Sequence, residues 1–221
     1  MDSELIRNIF KKASLPFDLD KGKEEKFYIY LKELCKWNEK INLTSIKSES
    51  GIAEKLFLDS VFFLKFLEIK PDSVCLDIGS GAGFPGLPIK ILCPGIDLTL
   101  LEATKKKGVF LKHLMRVLSL NKTRVITKRF EEICGGEFFL ERFDLVTVRA
   151  VSLSPKLIRD SYKLLRQRGI LLYFGGEKAE IDFSLEKFFF TDIELRKYKL
   201  PVSKLPRTLL IFRKEKLSFE S

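Results

Sequence analysis

Val74-Cys75-Leu76-Asp77-Ile78-Gly79-Ser80-Gly81-Ala82-Gly83-Phe84-Pro85-Gly86 is the stretch on which the fold turns. Its first half is a short apolar run around one acid, which reads as a buried strand. Gly79, Gly81 and Gly83 then alternate with other residues. Glycines lack Cβ, so they reach positive φ and let a ligand approach the backbone closely. Pro85 and Pro88 stand where a helix begins, and proline is tolerated in a first helical turn. A strand, a glycine turn and a helix in that order open a ligand-binding α/β unit.

Two cofactor readings fit these letters. Gly81 to Gly86 spells GxGxxG, the dinucleotide pattern, but leaves Asp77-Ile78-Gly79 inside the turn; counted from Gly79, the final glycine falls on Phe84. The alternative is D-x-G-x-G-x-G over Asp77, Gly79, Gly81 and Gly83. That is the pattern of class I methyltransferases, whose cofactor is S-adenosylmethionine. Asp77 is then expected to receive the cofactor's ammonium, directly or through water, and the turn amides its carboxylate. Glu102 ends the next apolar run and can accept both ribose hydroxyls. Lys105-Lys106-Lys107 follow and would suit the 2′-phosphate of NADP, so that cofactor stays open at this point, though no hydride-transfer apparatus is visible. Glu131-Glu132 come after the third strand. They read either as neighbours of an adenine or as acids favoured at a helix N-terminus.

Outward from this stretch, apolar runs recur at Ser73–Ile78, Asp97–Leu101, Arg124–Thr127, Phe143–Val148, Gly169–Phe174, Glu194–Leu200 and Thr208–Phe212. Helix-length segments such as Lys105–Leu120 and Ser154–Arg166 separate the first five. This alternation predicts an α/β fold with a doubly wound, mostly parallel seven-stranded sheet. The last two strands follow each other directly and are expected to form an antiparallel hairpin at one edge. Before Pro71 the texture is helical. Phe27, Tyr30, Leu31, Leu34 and Ile41 give Glu24–Ile41 one apolar face, and a second helix is expected over Gly51–Leu67. The chain thus divides into an N-terminal helical extension, 1–70, and a cofactor-binding domain, 71–221.

The 221 residues carry a net charge of +10, with 45 % hydrophobic and 32 % charged residues. That excludes a disordered chain and points to a polyanionic partner, nucleic acid first. No apolar run is long enough to span a bilayer, and the first residues lack the order of a secretory signal. A cytoplasmic protein with no membrane partner is expected. Four cysteines without a CxxC pair, together with one histidine, His113, predict reduced, mostly buried thiols and no metal site.

The fourth strand ends in Arg149-Ala150-Val151-Ser152. This is not the Asn/Asp-Pro-Pro-aromatic tetrad of amine methylation, and neither Cys93 nor Cys134 stands at a strand tip for covalent attack on a pyrimidine. The remaining chemistry is direct transfer to an atom with a free lone pair, such as guanine N7. Arg129 and Arg149 are expected to close two neighbouring strands, each pointing at a carboxylate or a phosphate. A salt bridge is the plainer reading of both. Lys105, Lys106 and Lys107 read as an RNA-facing cluster or a solvated face. Trp37 reads as core before base stacking, and His113 has no role in view.

Taken together, several pieces resemble the small-subunit ribosomal RNA methyltransferase G family, also called glucose-inhibited division protein B. They are Trp37-Asn38, Ile41-Asn42-Leu43-Thr44, Leu58-Asp59-Ser60, Asp77 through Pro88, Lys106-Lys107 with Phe110-Leu111, Arg129-Phe130-Glu131-Glu132, Phe143-Asp144 with Arg149-Ala150, and Arg207. The resemblance implies a Rossmann-like class I methyltransferase that modifies N7 of one guanine in 16S rRNA, on the RNA or on a small-subunit particle, as a monomer in the cytoplasm. It also implies that Gly79, Phe84, Phe130, Glu131 and Arg149 line the cofactor pocket. Arg149 and Arg129 are expected to serve catalysis, and Arg129 and Arg207 to join the lysines in binding RNA. Two positions depart from the family pattern. Leu56 stands where a histidine is usual, and Gly175-Gly176 where a lysine-glycine is usual; Lys178 is the nearest lysine that could reach back. A methyltransferase of protein or metabolite acceptors, and a non-enzymatic RNA-binding relic of the fold, are the competing readings.

Overall fold

The computed structural model describes residues 2–16, 19–176, 190 and 192–215. In chain order the helical elements before the sheet are α1 (Asp2–Lys12), α2 (Lys21–Ile41), α3 (Glu49–Ile52) and α4 (Asp59–Val61). The sheet unit follows as β1 (Val74–Ile78), α5 (Gly86–Leu92), β2 (Asp97–Leu101), α6 (Lys105–Val117), β3 (Thr123–Ile126), α7 (Glu131–Cys134), β4 (Phe143–Arg149), α8 (Pro155–Leu164), β5 (Leu165–Gly175), β6 (Asp192–Lys199) and β7 (Pro206–Arg213). The strands lie in the order β3-β2-β1-β4-β5-β7-β6. The pairings β3–β2, β2–β1, β1–β4 and β4–β5 are parallel, whereas β7 runs antiparallel to both β5 and β6. The expected doubly wound sheet and its edge hairpin are both present.

The inner strands β1, β2 and β4 are largely apolar and buried because both faces are covered, whereas the edge strand β6 is mostly exposed. Cys75, Leu98, Leu100, Leu145 and Leu172 join one core with residues of α1, α2, α5 and α6. Leu76, Ile78, Leu101, Val146 and Leu171 join a second core with residues of α7 and α8. The N-terminal helices therefore share a core with one face of the sheet.

Two local devices set α2. The Asp20 side chain accepts from the Lys23 amide at the N-terminus, and Asn42 ends the helix in the left-handed region at φ 47°. Asn38 then clamps the following loop, donating to the Thr44 carbonyl at 2.9 Å and accepting from the Thr44 amide at 2.8 Å.

The helix expected over Gly51–Leu67 is not uniform. α3 passes into a π-helical turn over Ala53–Leu58, then α4, then a 3-10 turn over Phe62–Lys65. The Asp59 amide bonds back to the Glu54 carbonyl, five residues earlier. Glu54 and Asp59 bracket this wide turn and both reach the β6–β7 hairpin. Both carboxylates are buried.

Candidate active site

The glycine turn joins β1 to α5 at the carboxyl edge of the sheet, where open α/β folds take their ligands. Gly79, Gly81 and Gly83 all have positive φ, at 70°, 57° and 100°. The amides of Gly79 and Ser80 both bond to the Leu101 carbonyl, at 2.9 and 3.0 Å. A Cβ on Gly83 would lie 2.6 Å from the Tyr30 hydroxyl and 2.5 Å from Leu87 Cδ1, so this glycine is required by packing. A Cβ on Gly81 would meet only the Gly79 carbonyl oxygen, at 3.8 Å. The turn is thus packed at Gly83 and open at Gly81.

Asp77, in β1, is bonded within the protein. Its carboxylate is fully buried, accepting from Thr147 Oγ1 at 2.8 Å and from the Gly86 amide at 3.2 Å. Burial raises its pKa to about 6, against the lowering effect of the bonds from Thr147, Ser80 and Gly86. Through these bonds Asp77 ties β1, β4 and α5 together. Phe84 is buried too, its ring stacked on Tyr30 at 5.3 Å.

Glu102 stands just past the tip of β2. One carboxylate oxygen accepts from the Gly81 amide and the other from the Thr104 amide, each at 2.8 Å. Each oxygen keeps a second lone pair for a hydroxyl. This is the fit expected for a ribose beside the open face of Gly81.

Arg149 closes β4, one residue past the Val148–Ile78 pair of the parallel register. Its Nη2 donates to Asp59 Oδ2 at 3.0 Å and to the Lys55 carbonyl at 2.6 Å, and its Nη1 to Ser60 Oγ at 3.1 Å. Arg207 Nε donates to the same Asp59 oxygen at 2.8 Å, and the Tyr198 hydroxyl to Oδ1 at 2.7 Å. The salt-bridge reading thus holds for Arg149, and Arg207 shares the same acid, but the bridge is largely buried, with side-chain exposures of 15 % for Arg149 and 3 % for Asp59.

Arg129 is elsewhere. β3 ends at Ile126, and β2 and β1 separate β3 from β4. The expectation that Arg129 and Arg149 close neighbouring strands is overturned, because strand order in space differs from chain order. The Arg129 side chain is exposed and has no partner among the described residues. Phe130 precedes α7 and packs on the second core, and Glu131 is exposed beside it in the first turn. Lys105 and Lys106 are exposed and Lys107 is half-buried in the first turn of α6, which holds no acid and lacks a side-chain cap.

Other sequence expectations divide. Trp37 packs against Phe110 and His113, at 5.5 and 5.2 Å between ring centroids. His113 has a partner the sequence did not reveal, Glu33, at 2.6 Å. The four cysteines are free, but only Cys75 is buried and the other three are partly exposed. Burial pushes the Cys134 thiol up to about 12, which leaves it a poor nucleophile. Leu56 is a core residue, Gly175 ends β5, and Lys178 lies outside the described residues. Among the described residues no cluster could hold a metal ion, and no helix is long and apolar enough to cross a membrane.

Comparison with known proteins gives the chain a family. The family described as GidB, rRNA small subunit methyltransferase G, matches residues 23–210. A ribosomal RNA small subunit methyltransferase G from Syntrophus aciditrophicus is 36 % identical, with 93 % of this chain and 88 % of the relative covered. One of the same name from Dictyoglomus thermophilum is 38 % identical, covering 94 % and 95 %. Among solved structures, a precorrin-6y C5,15-methyltransferase from Geobacter metallireducens superposes with a TM-score of 0.52 at 18 % identity, over 70 % of this chain and 87 % of that one. A 1,6-didemethyltoxoflavin-N1-methyltransferase from Burkholderia thailandensis, solved with S-adenosylhomocysteine, gives 0.51 at 17 % identity, over 66 % and 72 %. At those identities the likeness is one of fold.

Proposed function

The chain belongs to the ribosomal RNA small subunit methyltransferase G family, and we propose that it transfers the methyl group of S-adenosylmethionine to N7 of one guanine in 16S rRNA. The observation that carries the reading is the pairing of an open, positive-φ glycine at Gly81 with the Glu102 carboxylate that holds its amide.

The cofactor supplies an electrophilic methyl on a sulfonium. Guanine N7 already carries a lone pair, so no proton has to leave before transfer and no general base is needed. The chain's task is to orient the two partners and exclude water. Glu102 orients the ribose, and Gly79 and Gly81 let the backbone close on the cofactor. Phe130 and Glu131 stand on the adenine side. Arg149, at the tip of β4, faces the acceptor. A bare guanidinium there would repel the sulfonium, and Asp59 offsets that charge. Lys105, Lys106, Lys107 and Arg129 offer cations to the phosphates of the bound strand, and Arg207, beside Lys197 and Lys199, is assigned to the same strand. Three lysines in the first turn of a helix are unfavourable against its dipole, and an anionic partner relieves that. We take residues 1–70 as an extension that braces the site, and the enzyme as a cytoplasmic monomer acting on the RNA or on a small-subunit particle.

Transfer of labelled methyl groups to 16S rRNA and to 30S particles, both from cells lacking the enzyme, tests the reading. Label in RNA that declines steeply with added salt is expected. Binding of S-adenosylmethionine without label in any RNA form would redirect the assignment to a protein or metabolite acceptor.

A further inference from the structure

Leu58-Asp59-Ser60 stands out in the sequence, but the reaction so far gives it no part beyond charge balance. Its setting asks for more. Asp59 sits where the π-helical turn meets α4, and three side chains from three strands converge on it: Arg149 from β4, Tyr198 from β6 and Arg207 from β7. Tyr198 is stacked on Phe62 at 4.5 Å, so its hydroxyl is aimed from a fixed ring. Ser60 fixes a second point on the guanidinium, accepting from Arg149 while donating to the Leu56 carbonyl. The Lys55 carbonyl fixes a third.

We propose that Asp59 is a positioning residue for methyl transfer: it sets the Arg149 guanidinium at the acceptor side of the pocket and fastens the β6–β7 hairpin to that setting. The proposal rests on the rRNA methyltransferase reading above. A carboxylate is required because one acid serves two guanidiniums and a phenol. An amide would leave two mostly buried guanidiniums side by side without a counter-charge. The arrangement also joins the N-terminal extension to the far edge of the sheet through one side chain. Arg207, which lines the groove beside Lys197, Tyr198 and Lys199, then reports to the site through the Asp59 oxygen it shares with Arg149.

Glu54 supplies the control. It belongs to the same wide turn, is equally buried, and caps the same hairpin by accepting from the amides of Val202 and Ser203. The hydrogen bonds of Arg149 go to Lys55, Asp59 and Ser60 and leave Glu54 out. If Asp59 only glued the extension to the hairpin, loss of either acid would have the same consequence.

The experiment compares Asp59→Asn, Glu54→Gln and Tyr198→Phe in the full chain. It measures melting temperature, S-adenosylmethionine Kd by calorimetry, and kcat at saturating 16S rRNA. Asp59→Asn is expected to lower kcat about a hundredfold, the scale of a misplaced group near the reacting atoms, with cofactor Kd kept within about threefold. Tyr198→Phe, which keeps every charge, is expected to lower kcat about fivefold, the worth of one hydrogen bond. Glu54→Gln is expected to melt earlier yet keep kcat. The proposal is overturned if folded Asp59→Asn turns over like the wild type, or if both acid variants lose kcat in step with their melting temperatures. Should Asp59→Asn fail to fold, an unchanged kcat in Tyr198→Phe overturns it. Wild-type transfer to rRNA is the internal control: its absence refutes the underlying reading and the proposal with it, whereas an active wild type with an equally active Asp59→Asn refutes the proposal alone.

Discussion

The Tyr30 hydroxyl, on α2, donates a 2.5 Å hydrogen bond to the carbonyl of Ala82, inside the glycine turn. The phenol is fully buried, and its ring stacks on Phe84 two residues further along. Burial holds its pKa well above the ordinary value, so it remains a donor. The cofactor loop is thus braced from below by a helix that precedes it by some fifty residues.

Tyr30→Phe keeps the ring and removes the donor. It leaves a buried carbonyl without its partner, which costs about 1–3 kcal/mol. A chain of this size should melt roughly 2–4 °C earlier per kcal/mol. Calorimetry should show S-adenosylmethionine binding weakened by about tenfold for each 1.4 kcal/mol that reaches the loop. Unchanged affinity in a destabilised protein would show that the brace serves folding alone.

Gly81→Ala and Gly83→Ala should fail in different ways. At Gly81 the added methyl meets almost nothing in the protein. The cost to folding is then the left-handed backbone, about 1–2 kcal/mol, while the methyl stands where the cofactor must lie and should abolish measurable binding. At Gly83 the methyl collides with Leu87 and Tyr30, so stability should fall first and further. Thermal melts and cofactor titrations of the two variants separate the cases.

Asp77 sets a pH dependence of stability. Its folded-state pKa, about 6, lies above the ordinary 3.8, chiefly because burial disfavours the charge. A raised carboxyl pKa favours the folded state most below the unfolded value, and this contribution is lost as pH rises to about 6. Asp77→Asn removes the titration. The stability of the wild type relative to Asp77→Asn should therefore fall between pH 4 and pH 6, by on the order of 3 kcal/mol for a shift of that size. Denaturant melts across this window check it, and parallel curves would contradict it.

Replacing Lys105, Lys106 and Lys107 together by alanine should leave cofactor Kd unchanged and raise KM for rRNA. The logarithmic salt dependence of RNA binding should become shallower by about 0.7 for each single-strand phosphate that the protein no longer neutralises. Removing cations from the N-terminal turn should also stabilise α6 by about 0.3–1 kcal/mol each. An unchanged salt slope would return these lysines to ordinary surface.

The legible part of the molecule was the part written locally. Glycines at alternate positions between a strand and a proline-marked helix, and an acid at the end of the next strand, are short-range signals, and β1, the turn, β2 and Glu102 all follow from them. What stayed hidden joins distant residues. Tyr30 looked like one more apolar position of α2. Asp59 carried no sign that Tyr198 and Arg207, about 140 residues on, would meet it. A 3.6-residue period reads straight through Ala53–Leu58 and cannot register the wide turn between Glu54 and Asp59. The sequence marks Asp77 as an acid before the turn but gives no sign of its bonds to Thr147 and the Gly86 amide. Arg129 and Arg149 seemed adjacent because their strands follow each other in the chain, whereas the sheet places β2 and β1 between them.

The measurement that bears most directly on the central claim is identification of the methylated nucleoside. After reaction with labelled S-adenosylmethionine, the 16S rRNA would be digested and its labelled nucleoside identified by mass and chromatography, then located by fragment mapping. The account predicts 7-methylguanosine at a single position. Label on an exocyclic amine, on a pyrimidine carbon or on a ribose hydroxyl would contradict it, because each of those acceptors must lose a proton, and the proposed mechanism assigns no base to take it.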